Sequence, residues 1–190
     1  MARYQAGLRT EARIIDATRA LLSEVGLEGT TLKAICERAG VRAGSFYNIF
    51  DSKESAVLRV VAEAITAVDP DPEGAGTDTI ESLVGAYVAF IESQPVVARI
   101  YLQFAVSGGL TDNEHSKRFL RHHERRVGRF ADAIRRSDPG LGPNDAAAEA
   151  EVLLATLNGL AFHWMLQPSF DFAGHVERIV AAHEWLRSHG

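Results

Sequence analysis

The stretch Arg42-Ala43-Gly44-Ser45-Phe46-Tyr47-Asn48-Ile49-Phe50 is where residue types and spacing suggest chemistry most directly. Wound as a helix, it puts Phe46, Ile49 and Phe50 at i, i+3 and i+4 on one apolar side. Gly44, Tyr47 and Asn48 then lie about opposite, with Ser45 beside them. This outward side is small and hydrogen-bonding, with little bulk to keep it out of a groove. Arg42 and Lys53 bracket it, and Lys33 stands at the start of the preceding helix. Cations so placed can meet phosphates, while hydroxyl and amide groups can meet base edges.

Such a helix needs neighbours that bury one side and leave the other free. Thr30 and Thr31 supply a cap for a helix over Thr31–Ala39, whose inner face is Leu32, Ile35, Cys36 and Ala39. Gly40 tolerates the positive φ of a tight turn, and Val41 is an apolar plug within it. The next helix runs from Ala43 to Phe50. Two short helices about a glycine turn form a helix-turn-helix, whose second member enters the major groove. The same spacing also suits an ordinary helical hairpin in a bundle. Upstream, Ile14, Thr18, Leu21, Leu22 and Val25 make one stripe, ended by Gly26. Downstream, Ser52 caps a helix over Lys53–Val68.

Charge follows the same division. Residues 1–60 hold nine basic and seven acidic residues, while the whole chain carries −5. The balance excludes a uniformly basic nucleic-acid binder but not a local basic patch. The single cysteine, Cys36, excludes an intramolecular disulfide and any multi-cysteine zinc site, and its neighbours suit a small buried hydrophobe. The N-terminus has no apolar stretch that reads as a signal peptide, and Val152–Leu166 is too short and too interrupted to span a bilayer. A cytoplasmic location without membrane attachment is expected.

At this point residues 8–58 resemble the N-terminal domain of the TetR family of transcriptional repressors. The resemblance lies in Ile14–Leu22 with Gly26 and Thr31, in Ile35–Val41, and in Gly44–Glu54. It implies an all-α homodimer, with a three-helix DNA-binding domain (1–52) and a helical effector-binding and dimerisation domain (53–190), about nine helices in all. It implies that Lys33, Arg42, Ala43, Gly44, Ser45, Tyr47, Asn48 and Lys53 fall where family members touch DNA, with Tyr47 and Lys53 on phosphates. Phe46 and Phe50 take core positions. Ile49 stands where the family often has histidine, so a phosphate contact is expected to be missing, or supplied by an N-terminal arm carrying Arg3 and Arg9.

Beyond the break Asp69–Gly76, apolar stripes predict five further helices and no strand. One stripe is Ile80, Leu83, Val84, Tyr87 and Ile91; the next is Val96, Val97, Ile100, Tyr101 and Phe104. A long helix over Asp112–Arg136 follows, then Asp145–Leu166 and Asp171–Ser188. Val152–Leu166 is apolar nearly all round, which calls for burial on two sides. Leu153, Leu157, Leu160, Ala161 and Trp164, with Ile179, His183 and Leu186 on the last helix, are the expected dimer face. Tyr87, Phe90, Tyr101, Phe104, His122, Phe130, Asn158, Phe162 and His163 are the expected lining for a small apolar or aromatic effector, since an apolar cavity with few polar groups is what such a site requires. The basic tract Lys117–Arg129 reads as a solvated face.

No phosphate loop, dinucleotide fingerprint, HExxH pairing or Ser-His-Asp spacing occurs, so neither an enzyme nor a bound metal or cofactor is expected. The reading is a ligand-responsive repressor with three partners: double-stranded DNA bearing a palindromic operator, a small-molecule effector and a second copy of the chain. The alternative is a helical small-molecule-binding protein without DNA binding, for which Ile49 is the encouragement.

Overall fold

The computed structural model describes residues 2–108 and 114–189, and among them it contains nine helices and no strand. They are α1 (Ala2–Gly29), α2 (Leu32–Ala39), α3 (Ala43–Tyr47), α4 (Lys53–Thr66), α5 (Ile80–Ser93), α6 (Pro95–Gly108), α7 (Glu114–Ser137), α8 (Pro143–Leu166) and α9 (Phe172–His189).

The chain forms two compact units. The first runs to Ala67 and takes in Gln94–Phe104, which is Gln94 and most of α6. Its core is the set the spacing predicts: Ile14, Leu22, Ile35 and Phe46 are almost wholly enclosed, joined by Val57 and Val60 of α4. Thr18 is also fully buried, tolerated because its hydroxyl donates to the Ile14 carbonyl at 2.7 Å. By packing, α4 belongs with α1: the Arg19–Glu63 ion pair at 2.7 Å joins them, and Arg59 reaches both Glu11 and Glu63.

Local signals set the element ends. Gly26, at φ 69°, breaks the regular path of α1, and Thr30 then bonds back to the Gly26 carbonyl through both its amide and its hydroxyl. Val25 sits just before this kink and is half exposed, so it leaves the predicted stripe. Arg3 and Arg9 belong to α1, which begins at Ala2, rather than to an extended arm: Arg9 is an exposed helical residue, and the Arg3 side chain lies outside what is described. Thr31 accepts a hydrogen bond from the Ala34 amide as the N-cap of α2, and Ser52 does the same for Ser55 at α4.

The second unit comprises residues 68–93 and those after 104. Here α7 packs mainly on α8, α8 on α9, and α5 on α7 and α9. The core holds Tyr87, Phe90 and Ile91 from α5, Phe130 and Ile134 from α7, Leu154 and Leu157 from α8, and Phe172 from α9. Arg129 clamps the connection leading into α5. Its guanidinium donates to Asp69 at 2.7 and 2.9 Å and to Asp78 at 2.8 and 2.9 Å. Arg136 adds a hydrogen bond to the Asp78 carbonyl. The tract 117–129 is therefore not a uniformly solvated face. Two carboxylates within reach, one of them on the buried Asp78, draw its last arginine inward.

No single helix among the described residues is long and apolar enough to cross a membrane.

Candidate functional site

α3 is shorter than expected. It ends at Tyr47, although Phe50 still donates to the Phe46 carbonyl at 2.9 Å, so the predicted side-chain register survives the early end. Phe46 is fully buried and Phe50 nearly so, their rings 5.7 Å apart. These two anchors fix which way the short helix faces. Arg42, Ala43, Gly44, Ser45, Tyr47 and Asn48 all lie exposed, Tyr47 by 55 %. Ile49 is half-buried beside the anchors.

The turn before α3 is locked from a distance. Gly40 adopts the left-handed conformation, φ 61°, and its amide and that of Val41 return to α2 carbonyls. Arg13 of α1 donates to the carbonyls of Ala39 and Gly40, satisfying groups that the end of α2 leaves open. A Cβ at Gly40 would meet only the tip of the flexible Arg13 side chain, at 2.7 Å, so it is the positive φ rather than lack of space that calls for glycine there. Sequence reading missed Arg13, because its partners lie 26 and 27 residues away. Cys36 is enclosed behind this turn, and burial pushes its thiol pKa up, which suits packing rather than nucleophilic chemistry.

The cations sort by partner. Arg19, Arg38 and Arg59 pair with carboxylates of their own unit. Lys33 is exposed and loosely associated with Glu37 at 3.9 Å. Lys53, half-buried at the first turn of α4, has its Nζ 3.5 Å from the Leu27 carbonyl. Arg42 has no ion pair among the described residues. Lys33 in the first turn of α2, Arg42 at the N-cap of α3 and Lys53 in the first turn of α4 are thus the cations of α2–α4 least engaged by carboxylates.

In the second unit, a polar cluster sits among aromatics. The Tyr87 hydroxyl donates to Asn158 at 2.9 Å, the Arg126 guanidinium stands 4.8 Å over the Tyr87 ring, and Phe172 meets that ring edge-on at 6.5 Å. One turn from Arg126, His122 is largely enclosed. Burial, then the positive charges of Arg126, Arg125 and His123, lowers its pKa to about 4. Tyr87, Asn158 and Arg126 thus meet directly, His122 lies one helical turn from Arg126, and Phe90 and Phe130 are buried in the same unit. The spacing His122–Arg126–Phe130 was the available signal for that arginine.

Other expected residues fall elsewhere. Phe162 is 59 % exposed, and His163 is exposed with its ring 4.5 Å from Phe170, so neither lines the interior. Tyr101 and Phe104 lie in the part of α6 that groups with the first unit.

The residues of the expected dimer face divide by their burial within the single chain. Leu153, Leu157 and Ala161 are at most 3 % exposed and form the core of their own unit. Leu160, Trp164 and Ile179 are half-buried, with the Trp164 ring 6.1 Å from Phe172. His183 pairs with Glu149 of α8 at 2.7 Å, and the Leu186 side chain lies outside the described residues. The open side of α8 is roughly half a turn away, where Val152, Ala155, Gly159, Phe162 and Leu166 are all exposed.

Residues 14–60 match the model of bacterial regulatory proteins of the tetR family, and residues 76–184 match that of the BetI-type transcriptional repressor C-terminal domain. The chain belongs to the TetR family. Among TetR-family relatives, it is 34% identical over 103 residues to the transcriptional repressor KstR2 of Rhodococcus jostii (strain RHA1), spanning 51% of this chain and 50% of that one. It is 28% identical over 155 residues to the transcriptional regulator BetI of Burkholderia thailandensis, covering 78% of each. Thus the chain spans about half the length of KstR2, but more than three-quarters of BetI. A transcriptional regulator from Aquifex aeolicus VF5 shares the fold, with a TM-score of 0.66 at 20% identity over 93% of this chain and 99% of that one.

Proposed function

We propose that the chain is a ligand-responsive, DNA-binding transcriptional repressor, working in the cytoplasm as a regulator rather than as an enzyme. The observation that carries this is the α3 surface. Phe46 and Phe50 anchor it from behind, Ser45, Tyr47 and Asn48 are exposed, and Arg42 at its N-cap, with Lys33 and Lys53 in the first turns of α2 and α4, supplies cations. Placed in a major groove, Ser45 and Asn48 reach base edges while the cations and Tyr47 meet phosphates. Ala43 and Gly44 admit the backbone close to the DNA. Residues 1–52 together with Lys53 at the start of α4 hold these contacts, and the helices beyond α4 carry effector binding and dimerisation.

One such surface reads only a half-site, so the operator is a palindrome and the protein a homodimer. The outward side of α8, with Val152, Phe162 and Leu166, supplies a self-complementary apolar patch for the second copy. A small apolar or aromatic effector binds near Tyr87, Asn158 and Arg126. By preferring a dimer whose two α3 helices are wrongly spaced, it releases the operator.

Selection from random double-stranded DNA with the purified chain tests the reading. Enrichment of one palindrome is expected, and recovery of unenriched sequence would overturn it in favour of a helical ligand-binding protein.

A further inference from the structure

A concavity lies in the C-terminal unit, on the side of α5 turned from Tyr87 and Phe90. It is a groove of about 530 Å³ between α5 and α9. From α5 it is lined by Glu81, Val84, Gly85, Val88, Ala89 and Glu92, which recur at helical spacing along one face. From α9 come Ala173, Val176, Glu177, Val180 and Ala181. The floor is made of valine and small residues, with Val84 and Val176 nearly enclosed. No lysine, arginine or histidine is among the lining residues. Its three glutamates are exposed, and none of them forms an ion pair among the described residues.

The volume is within the range of small-molecule sites. The charges decide what kind of molecule fits. An anion would meet three carboxylates and no cation. A neutral apolar molecule would cover the floor and leave the rim without use. An apolar body with positive groups gains from both. Length narrows the choice: Glu81 and Glu92 are eleven residues apart on one helix, about 16 Å at 1.5 Å per residue. That separation matches an extended chain of about a dozen carbons. We infer that the α5–α9 groove binds an elongated organic cation, an alkyl chain with an amine at each end lying along the valine floor between Glu81 and Glu92, with Glu177 flanking its path. This site is separate from the Tyr87 cluster and does not depend on DNA binding.

The test is calorimetric titration of the purified protein with 1,12-diaminododecane at neutral pH, with dodecanoate and 1,4-diaminobutane as probes of charge and length. The long diamine is expected to bind more tightly than either. Glu81→Gln and Glu92→Gln should each weaken it about three- to fivefold, as for exposed charge pairs, and added salt should weaken the wild type but hardly the double variant. Gly85→Leu fills the groove without disturbing the helix, because a Cβ at Gly85 meets nothing within 4 Å. It should abolish binding while the helical circular dichroism signal is kept. Absence of binding to the wild type overturns the assignment. So does dodecanoate binding as tightly as the diamine, or diamine binding that survives both Gly85→Leu and the glutamate substitutions.

Discussion

His122 makes the protein less stable in mild acid, and the size of the effect follows from its surroundings. Its folded pKa is about 4, against about 6.5 in an unfolded chain, so the folded state binds fewer protons between those values. Stability therefore rises with pH across that window, is fully present above about 6.5, and is lost as pH falls toward about 4. For a wholly buried ring the loss from pH 7 to pH 4.5 would be about 2.4 kcal/mol per chain, at 1.36 kcal/mol per pKa unit. Solvent reaches part of this ring, which brings the expectation to about 1–2 kcal/mol. His122→Leu removes the titrating group while keeping an apolar side chain beside Arg126. Urea unfolding at both pH values, for wild type and variant, isolates the contribution because every other histidine is common to the two. The wild type should lose about 1–2 kcal/mol more than the variant. Equal losses would refute the reasoning, since they would mean the imidazole is as well solvated when folded as when unfolded.

Arg129→Ala leaves the buried Asp78 without its guanidinium partner and should cost about 2 kcal/mol at neutral pH, read by thermal or denaturant unfolding. Hydrogen bonds from Arg129 hold the Asp69 pKa below the usual carboxylate value. Its share of the stability is therefore present above about pH 4 and lost as pH falls through the folded value, so the wild-type and Arg129→Ala curves should converge below it. Phe162→Glu should halve the particle mass seen by light scattering while leaving the chain folded, because that side chain is exposed in the single chain. Leu157→Glu should instead unfold it, since Leu157 is completely enclosed.

The N-terminal part of the fold was legible in the sequence because its determinants are local. Thr31 and Ser52 announce helix starts, Gly40 announces a left-handed turn, and Phe46 with Phe50 orients a helix barely longer than one turn. The C-terminal part was legible as a set of helices but not as faces. Residues 152–166 are apolar nearly all round, so the pattern could not tell the inward side, with Leu153, Leu157 and Ala161, from the outward one, with Val152, Phe162 and Leu166. Arg126 and Arg129 looked solvated for a different reason. Arg129 meets carboxylates 51 and 60 residues away, and Arg126 covers a tyrosine whose own partner is 71 residues distant. Such pairings follow from tertiary packing and leave no trace in a local charge pattern.

The claim at the centre of this account is that the α3 surface reads DNA. Fluorescence anisotropy titrations of the selected palindrome and a scrambled duplex, at several salt concentrations, test it with Asn48→Ala and Arg42→Ala beside the wild type. Each phosphate contact contributes roughly 0.9 to the slope of log affinity against log salt, and a dimer loses each contact twice. Arg42→Ala should therefore lower that slope by about 2 and weaken both duplexes alike. Asn48→Ala should leave the slope nearly unchanged while costing about 1–3 kcal/mol per half-site on the palindrome only. An Arg42→Ala protein with an unaltered slope, together with an Asn48→Ala protein that still prefers the palindrome as strongly as wild type, would contradict it.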